Sequence, residues 1–373
     1  MRNKENQLAT QGLTVGVEEE FLLVDDKGGL VYQGPEAIAD HEKGADLKTE
    51  MMRCQVESAT GICRGAKEIR DELAGLREQL ARGAQEQGAT LIACGTATHG
   101  QPDISTIGPG TRYHRIARHV GKFIFGGVTC GCHVHVGVED RSTALAVANH
   151  LRPWLPTLLA LCANSAFHEG EDTGYASVRH LLWGRWPSAG PPPYMDSPDQ
   201  YEEIVQGLLA TGAAMDRKMV YWDVRPSEAQ PTVEIRVSDV AGTVEEATLL
   251  AVLVRCLVAD ALAAPEPAPR VPTEIIRAAQ WRAAREGLAG EVPDPASGAL
   301  RPVRSIVGDL VRDHAAELRA TGELEFVEST LNWLNHNGDG AHRQREAYAR
   351  TGGLDGVLRL LAEQTSLSQT VPG

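Results

Sequence analysis

No C-x-x-C pair occurs in the chain. Its seven cysteines, Cys54, Cys63, Cys94, Cys130, Cys132, Cys162 and Cys256, are odd in number and scattered, which argues against a disulfide framework and for a reduced, cytoplasmic setting. No block of basic residues stands out, and 36 Lys and Arg against 50 Asp and Glu give a formal charge of -14. Nucleic acid and anionic membrane are therefore excluded as expected partners. The polar opening Met1–Thr10 has no apolar signal-peptide core. No apolar run approaches a bilayer span, because the nearest, Ala144–Phe167, is broken by His150, Arg152, Pro153, Pro156 and Asn164. Internal repeats, low-complexity tails, a glycine-rich phosphate loop and a β-α-β rhythm are all missing too.

What remains is 373 residues, 42% hydrophobic, enough for a sizeable core. The patterning predicts strands over Thr14–Val24, Thr90–Cys94, Val128–Val138 and Thr232–Ser238. It predicts helices over Ala66–Gln87, Arg112–Val120, Ser142–Ala166 (interrupted at its prolines), Tyr201–Gly212 and Val244–Ala263. Gly184–Asp199, with Pro187, Pro191, Pro192 and Pro193, reads as an irregular loop. Helix signals resume at Thr273, so the Pro/Ala-rich Ala264–Pro272 reads as a surface loop inside one unit, and 1–373 is taken as a single domain. Strands separated by long helices favour an α+β protein with a mostly antiparallel sheet.

Parity along three of these strands carries the functional information, because residues two apart point to one face. Val15, Val17, Phe21 and Leu23 share a face opposite Gly16, Glu18 and Glu20. Val128 to Val138 packs its valines and cysteines one way and points Gly131, His133, His135 and Gly137 the other. Val233, Ile235 and Val237 lie opposite Glu234 and Arg236. The glycines beside each charged pair leave room for something bulky. If the strands share one sheet, its polar face gathers three carboxylates, two imidazoles and a guanidinium, a set suited to hard divalent cations and a phosphate. Ordinary solvent faces would mix in Lys, Thr, Ser and Gln. Glu57 joins the set, and Glu50, seven residues earlier, returns to its side if the segment is helical.

At these residues the chain resembles the bacterial carboxylate–amine ligases related to glutamate–cysteine ligase, type 2. The likeness is carried by Gly16-Val17-Glu18-Glu19-Glu20, Gln55-Val56-Glu57, Cys130 to Gly137, Asp172 to Arg179, Trp222 to Ser227, Thr232 to Val237 and Arg343-Gln344-Arg345. More distantly, the E-x-E, H-x-H and E-x-R strands are similar to the metal-binding sheet of glutamine synthetase. That resemblance implies a curved, mostly antiparallel sheet forming an active-site funnel, with helices on its outer face. It also implies ATP, Mg2+ or Mn2+, and a γ-glutamyl phosphate formed from an amino-acid donor before an amine acceptor attacks; a homodimer is the expected assembly.

Position by position, the resemblance implies one metal on Glu20 and Glu57 with Glu50, and a second on Glu18, His133 and Glu234. It places His135 near the nucleotide, Arg236 on the transferred phosphoryl group, and Arg225 on substrate or phosphates. Arg179 is the candidate clamp for a substrate carboxylate, which a guanidinium fork matches bidentately. Arg53 and Ala279 depart from the family pattern of an acid and an asparagine. The loop Gly184–Asp199 is a candidate lid. From the residues alone the alternative is a zinc-dependent amidohydrolase built on the H-x-H strand and the glutamates, and a third reading is an inactive, ligand-binding relative.

Overall fold

The computed structural model of the chain describes residues 12–39, 46–108 and 110–366. The polar opening Met1–Thr10, on which the expectation about a leader rests, lies outside them. The strands are β1 (Val15–Val24), β2 (Asp46–Thr49), β3 (Gln55–Ala59), β4 (Thr90–Ile92) and β5 (Gly131–Gly137). A small hairpin, β6 (Phe167–His168) with β7 (Glu171–Asp172), precedes β8 (Val224–Pro226) and β9 (Thr232–Asp239). Seven of these strands form one sheet in the order β2-β3-β1-β5-β9-β8, with β4 pairing the far end of β1. Every ladder in that sheet is antiparallel.

The funnel is corrected by this order. The sheet is open, ending at β2 on one side and β8 on the other, and it is neither closed nor strongly curled. Closure would require those two edges to pair or approach by a strong coil. Instead the sheet presents one polar wall. Two strands near its edge were also unread. The segment leading from Glu50 to Glu57 is not helical: Gln55–Ala59 is β3, and with β2 it forms a hairpin. Glu50 therefore meets Glu57 through the connection between β2 and β3, not through a helical repeat.

The apolar face of the sheet sets the core. Val15 and Val17 of β1, Val134 and Val136 of β5, and Val233, Ile235 and Val237 of β9 are at most 2% exposed. They pack with the Val244–Ala263 and Leu155–Leu161 helices. The Val244–Ala263 helix is mostly apolar and buried from Val244 to Ala259, with Glu245, Glu246 and Arg255 among its buried residues. A capping box starts it: the Thr243 and Glu246 side chains each accept the other's backbone N–H, at 3.2 and 3.0 Å. Among the described residues no helix is long and apolar enough to cross a membrane.

Glu19 breaks the alternation of β1, since its parity puts it on the apolar face. It is fully buried and paired there with Arg77 of the Ala66–Glu86 helix. Arg77 Nε donates to Glu19 Oε2 at 2.9 Å and Nη2 to Oε1 at 2.6 Å, while the carbonyls of Ala241 and Gly242 take further N–H groups at 2.9 and 3.2 Å. One guanidinium thus ties the helix, β1 and the turn before the Val244–Ala263 helix together. Removing one partner strands a desolvated charge. Arg77→Met should lower unfolding stability by ~3–5 kcal/mol, and Glu19→Leu combined with Arg77→Met should recover much of it. Urea denaturation checks this, and an Arg77→Met protein as stable as the parent would contradict the assignment.

Candidate active site

Strand register brings the predicted side chains onto one wall. Across the sheet, Lys48 of β2 faces Glu57 of β3, and Glu57 faces Glu20 of β1. Glu18 of β1 faces His133 of β5, His135 faces Glu234 of β9, and Glu234 faces Arg225 of β8. A β-bulge lies where β5 meets β9, between the partners of Cys132 and Val134. It inserts one residue beside Arg236 without turning Glu234 or Arg236 off the polar face.

Two groups of donor atoms result. Glu18, His133 and Glu234 form one, and Glu20, Glu50 and Glu57 the other; within each, one ligand atom from every residue lies within 4.8 Å of the others. In the first group His133 Nδ1 is 3.3 Å from Glu18 Oε2 but also 3.5 Å from Arg236 Nη1. A guanidinium can only donate and a carboxylate can only accept, so no tautomer of His133 satisfies both. Burial together with the charge of Arg236 holds the His133 imidazole below its usual range, which keeps it neutral and available as a ligand. Burial would raise Glu18, but the bond with His133 and the nearby His135 imidazole outweigh that and hold it ionised. Glu234 is likewise buried yet kept far below the carboxylate range by Arg236 and Arg225.

The second group is short of positive charge. Burial and the neighbouring Glu20 push Glu50 up to about 7. Burial, followed by the charges of Glu50, Glu18 and Glu20, also raises Glu57 well above the usual carboxylate range. Its compensation comes from Lys48, whose ammonium is 3.4 Å from Glu57 Oε1 but shared with Asp46 at 3.2 Å. The Gly131 N–H donates to Glu20 Oε2 at 2.6 Å. Desolvated carboxylates crowded this way need protons or a cation. Five carboxylates and one imidazole make an oxygen-rich set of the kind Mg2+ or Mn2+ takes.

The arginines differ in reach. Arg236 lines the cleft above the wall and contacts Glu234; its Nε is buried without a hydrogen-bond partner. Arg225 grips Glu234 from β8, Nε to Oε2 at 2.9 Å, and also donates to the Val220 carbonyl. His135 Nδ1 lies 2.9 Å from Thr232 Oγ1, and its Nε2 is 3.7 Å from Glu18 and otherwise without a partner. Arg179 comes from behind. Its guanidinium is buried against the carbonyls of Arg236 and Val237, both at 3.4 Å, and stands where a Gly131 Cβ would be, 2.3 Å from Nη2. The space at Gly131 is filled by this arginine, and that at Gly137 by Thr14, so these glycines make room for the protein's own side chains.

Two features of the cleft were not read from the sequence. Trp183, Trp186 and Tyr221 form one wall, with ring centroids 4.9–6.2 Å apart. Arg185 and Lys218 stand at its rim. The stretch between Ile104 and Val138 has no aspartate or glutamate but carries Arg112, Arg115, Arg118 and Lys122, and of these Arg112 lines the cleft. The candidate lid is largely pinned. Arg185, Trp186 and Pro187 line the cleft, but Ser188 donates to the Met219 carbonyl, Arg152 Nε to the Pro192 carbonyl and Asn149 Nδ2 to the Met195 carbonyl. Arg53 turns away to Glu36, 3.0 Å distant. Other resembling motifs are architectural: Arg343 pairs with buried Glu246, Gln344 holds Asn164, and Arg345 forks onto Asp172 of β7.

Residues 14–364 match the Glutamate-cysteine ligase family 2 (GCS2). The chain belongs to that family. It is 46% identical over 360 residues to "Putative glutamate--cysteine ligase 2-1" of Rhodococcus jostii (strain RHA1), covering 94% of this chain and 96% of the relative. Among solved structures, a bifunctional glutathione synthetase from Pasteurella multocida superposes with a TM-score of 0.73 at 16% identity over 97% of this chain. The chain spans 53% of that protein. A glutamate–cysteine ligase from Francisella tularensis, solved with AMP, gives 0.69 at 14% identity, with 97% of this chain and 90% of that one covered. At such identities the two structures speak for a common fold. For this family member the charge balance at Glu20, Glu50 and Glu57 makes cation binding compete with protons. With Glu50 near 7, Mn2+ affinity without nucleotide should fall as pH drops from 8 to 6, by up to ~10-fold per pH unit for each proton displaced. Manganese paramagnetic resonance checks it, and equal affinity at both pH values would refute it.

Proposed function

We propose that this chain, as a single catalytic unit, is an ATP-dependent carboxylate–amine ligase that joins an amino-acid donor, glutamate through its side-chain carboxylate, to an amine. Family membership supports ligase chemistry, and the observation that carries the site assignment is the meeting of two acidic ligand groups and Arg236 on one wall. A cytoplasmic setting and a homodimer belong to the same reading.

A carboxylate is a poor electrophile, so an amide forms from it only after a leaving group is installed. Transfer of the terminal phosphoryl group of ATP to the donor oxygen gives an acyl phosphate and ADP. The amine lone pair then forms the C–N bond, the C–O bond to phosphate breaks with its electrons, inorganic phosphate leaves, and the surplus proton passes to it or to solvent. The protein's share is positioning and charge neutralisation. Mg2+ or Mn2+, when bound, supplies Lewis-acid neutralisation of phosphate oxygens. Glu18, His133 and Glu234 would hold the ion nearest the nucleotide, and Glu20, Glu50 and Glu57 the one nearest the donor.

Arg236 presents a fixed positive charge where the phosphoryl group passes. Arg225 holds Glu234 ionised and adds charge toward the phosphates, and His135 flanks the nucleotide. Arg179 acts as a positioning residue, bracing the β9 carbonyls and Gly131, whose N–H holds Glu20 in place. The rival zinc amidohydrolase loses support, since His133 and His135 fall in no common ligand group among the described residues and the donors are mostly carboxylate.

A screen of amino-acid donors against amine acceptors, reading ADP and product mass, tests the activity. Turnover should require ATP and Mg2+; turnover without ATP that a zinc chelator stops would favour the hydrolase. Glu18→Gln should cut ADP release on the order of 100-fold or more with an unchanged circular dichroism spectrum. A folded variant releasing ADP at nearly the parent rate would remove Glu18 from the site.

A further inference from the structure

The cleft runs from the carboxylate floor at Glu20, Glu50 and Glu57 to a mouth that the ligase reading leaves without a role. One side of that mouth is the ring cluster: Trp183 and Tyr221 have centroids 4.9 Å apart, Trp186 and Tyr221 5.3 Å, and Trp183 and Trp186 6.2 Å. All three rings are half-buried and line the cleft. Behind them the Arg179 guanidinium sits 5.9 Å from the Trp183 ring, so the wall is backed rather than loose. Ile116 and Ile124 line the same cleft, with Phe123 61% exposed.

Flat, rigid rings in a cleft that also carries apolar side chains are a surface for another aromatic group, which buries ~150–250 Å² in such a site. A cysteine side chain would cover little of it. The rim adds charge. Lys218 is exposed, and its ammonium has no partner among the described residues. Arg185 gives one N–H to the Gly126 carbonyl at 3.1 Å and lies over Phe123 at 5.3 Å, leaving the rest of its fork unused. Arg112 is committed to Asp216 by two bonds of 2.9 Å and is not counted.

Which reactant this mouth takes follows from the two ends of the site. The nucleotide phosphates belong, in the ligase reading, with Glu18, His133 and Glu234, where Arg225 supplies charge. Of the groups at that end, Glu18, His133 and Arg236 reach into this cleft while Glu234 and Arg225 stay outside it, whereas Glu20, Glu50 and Glu57 all line it. The phosphates then lie toward Glu234 and Arg225 and the donor carboxylate between the two acidic groups, which leaves the mouth to the third reactant, the amine.

We infer that the acceptor is an amine bearing both an aromatic side chain and a carboxylate, with Trp186 in the ring wall and Lys218 at the rim as the residues that select it. This rests on the ligase reading, and the test separates the two. ADP release and product mass are measured on the full chain with ATP, Mg2+ and L-glutamate, offering hydroxylamine, L-cysteine, L-phenylalanine or phenethylamine. Hydroxylamine is too small to need the wall, so absence of hydroxamate would overturn the ligase reading and this inference with it.

Given hydroxamate, kcat/KM for L-phenylalanine should exceed that for L-cysteine by ~10-fold or more, and phenethylamine, which lacks the carboxylate, should fall ~10-fold below L-phenylalanine. Trp186→Ala should bring the phenylalanine-to-cysteine ratio toward one; because both rates come from one preparation, partial unfolding cancels. Lys218→Ala should raise KM for L-phenylalanine and leave that for phenethylamine unmoved. Preference for cysteine by the parent enzyme, or a Trp186→Ala variant whose KM for ATP rises while the acceptor ratio holds, would overturn the inference and leave the ligase reading standing.

Discussion

Mutual repulsion among Glu20, Glu50 and Glu57 is the constraint on which the rest of the molecule turns. Burial and the neighbouring charges raise the proton affinity of Glu50 and Glu57, and a fold that holds such carboxylates together must be stabilised elsewhere. The apolar side of the same strands does this. Its valines and isoleucines enclose the Val244–Ala263 helix, and buried pairs such as Arg77 with Glu19 fix what packs against them. The polar wall and the core are two faces of the same residues' alternation, so neither can slip without the other.

That coupling explains what was legible in the sequence. Parity along β1, β5 and β9 located Glu18, Glu20, His133, His135, Glu234 and Arg236 together, because period-two alternation is a local property of the chain. Antiparallel register then did the rest. Element bounds agreed best where capping was explicit, as at Val244–Ala263. The fold was less legible where pairing decided it. β3 has no long alternating run and becomes a strand by lying between β1 and β2. Glu50 and Glu57 came together for a different reason than helical spacing.

Other features needed the third dimension. Whether an antiparallel sheet closes depends on coil and edge partners, which residues two apart do not encode, and here the edges stay apart. Glu19 shares parity with Val17 and Phe21, and only the arrival of Arg77 from a helix 58 residues away makes that tolerable. The glycines at Gly131 and Gly137 did mark close approach, but by Arg179 and Thr14. Motifs that carry the family likeness divide accordingly: some furnish the wall, while Arg343, Gln344 and Arg345 clamp the C-terminal helices to the frame.

The irregularity in β9 has an evolutionary reading. On one side of it the strand supplies Glu234 and Arg236 to the chemistry. On the other it ends in Asp239, wholly buried, accepting from the Asn164 N–H and the hydroxyls of Ser165 and Ser177. The extra residue lets these two duties keep separate phases. Descendants of this chain can therefore exchange side chains in the strand one at a time, but a change in its length by a single residue would have to be answered at both ends at once.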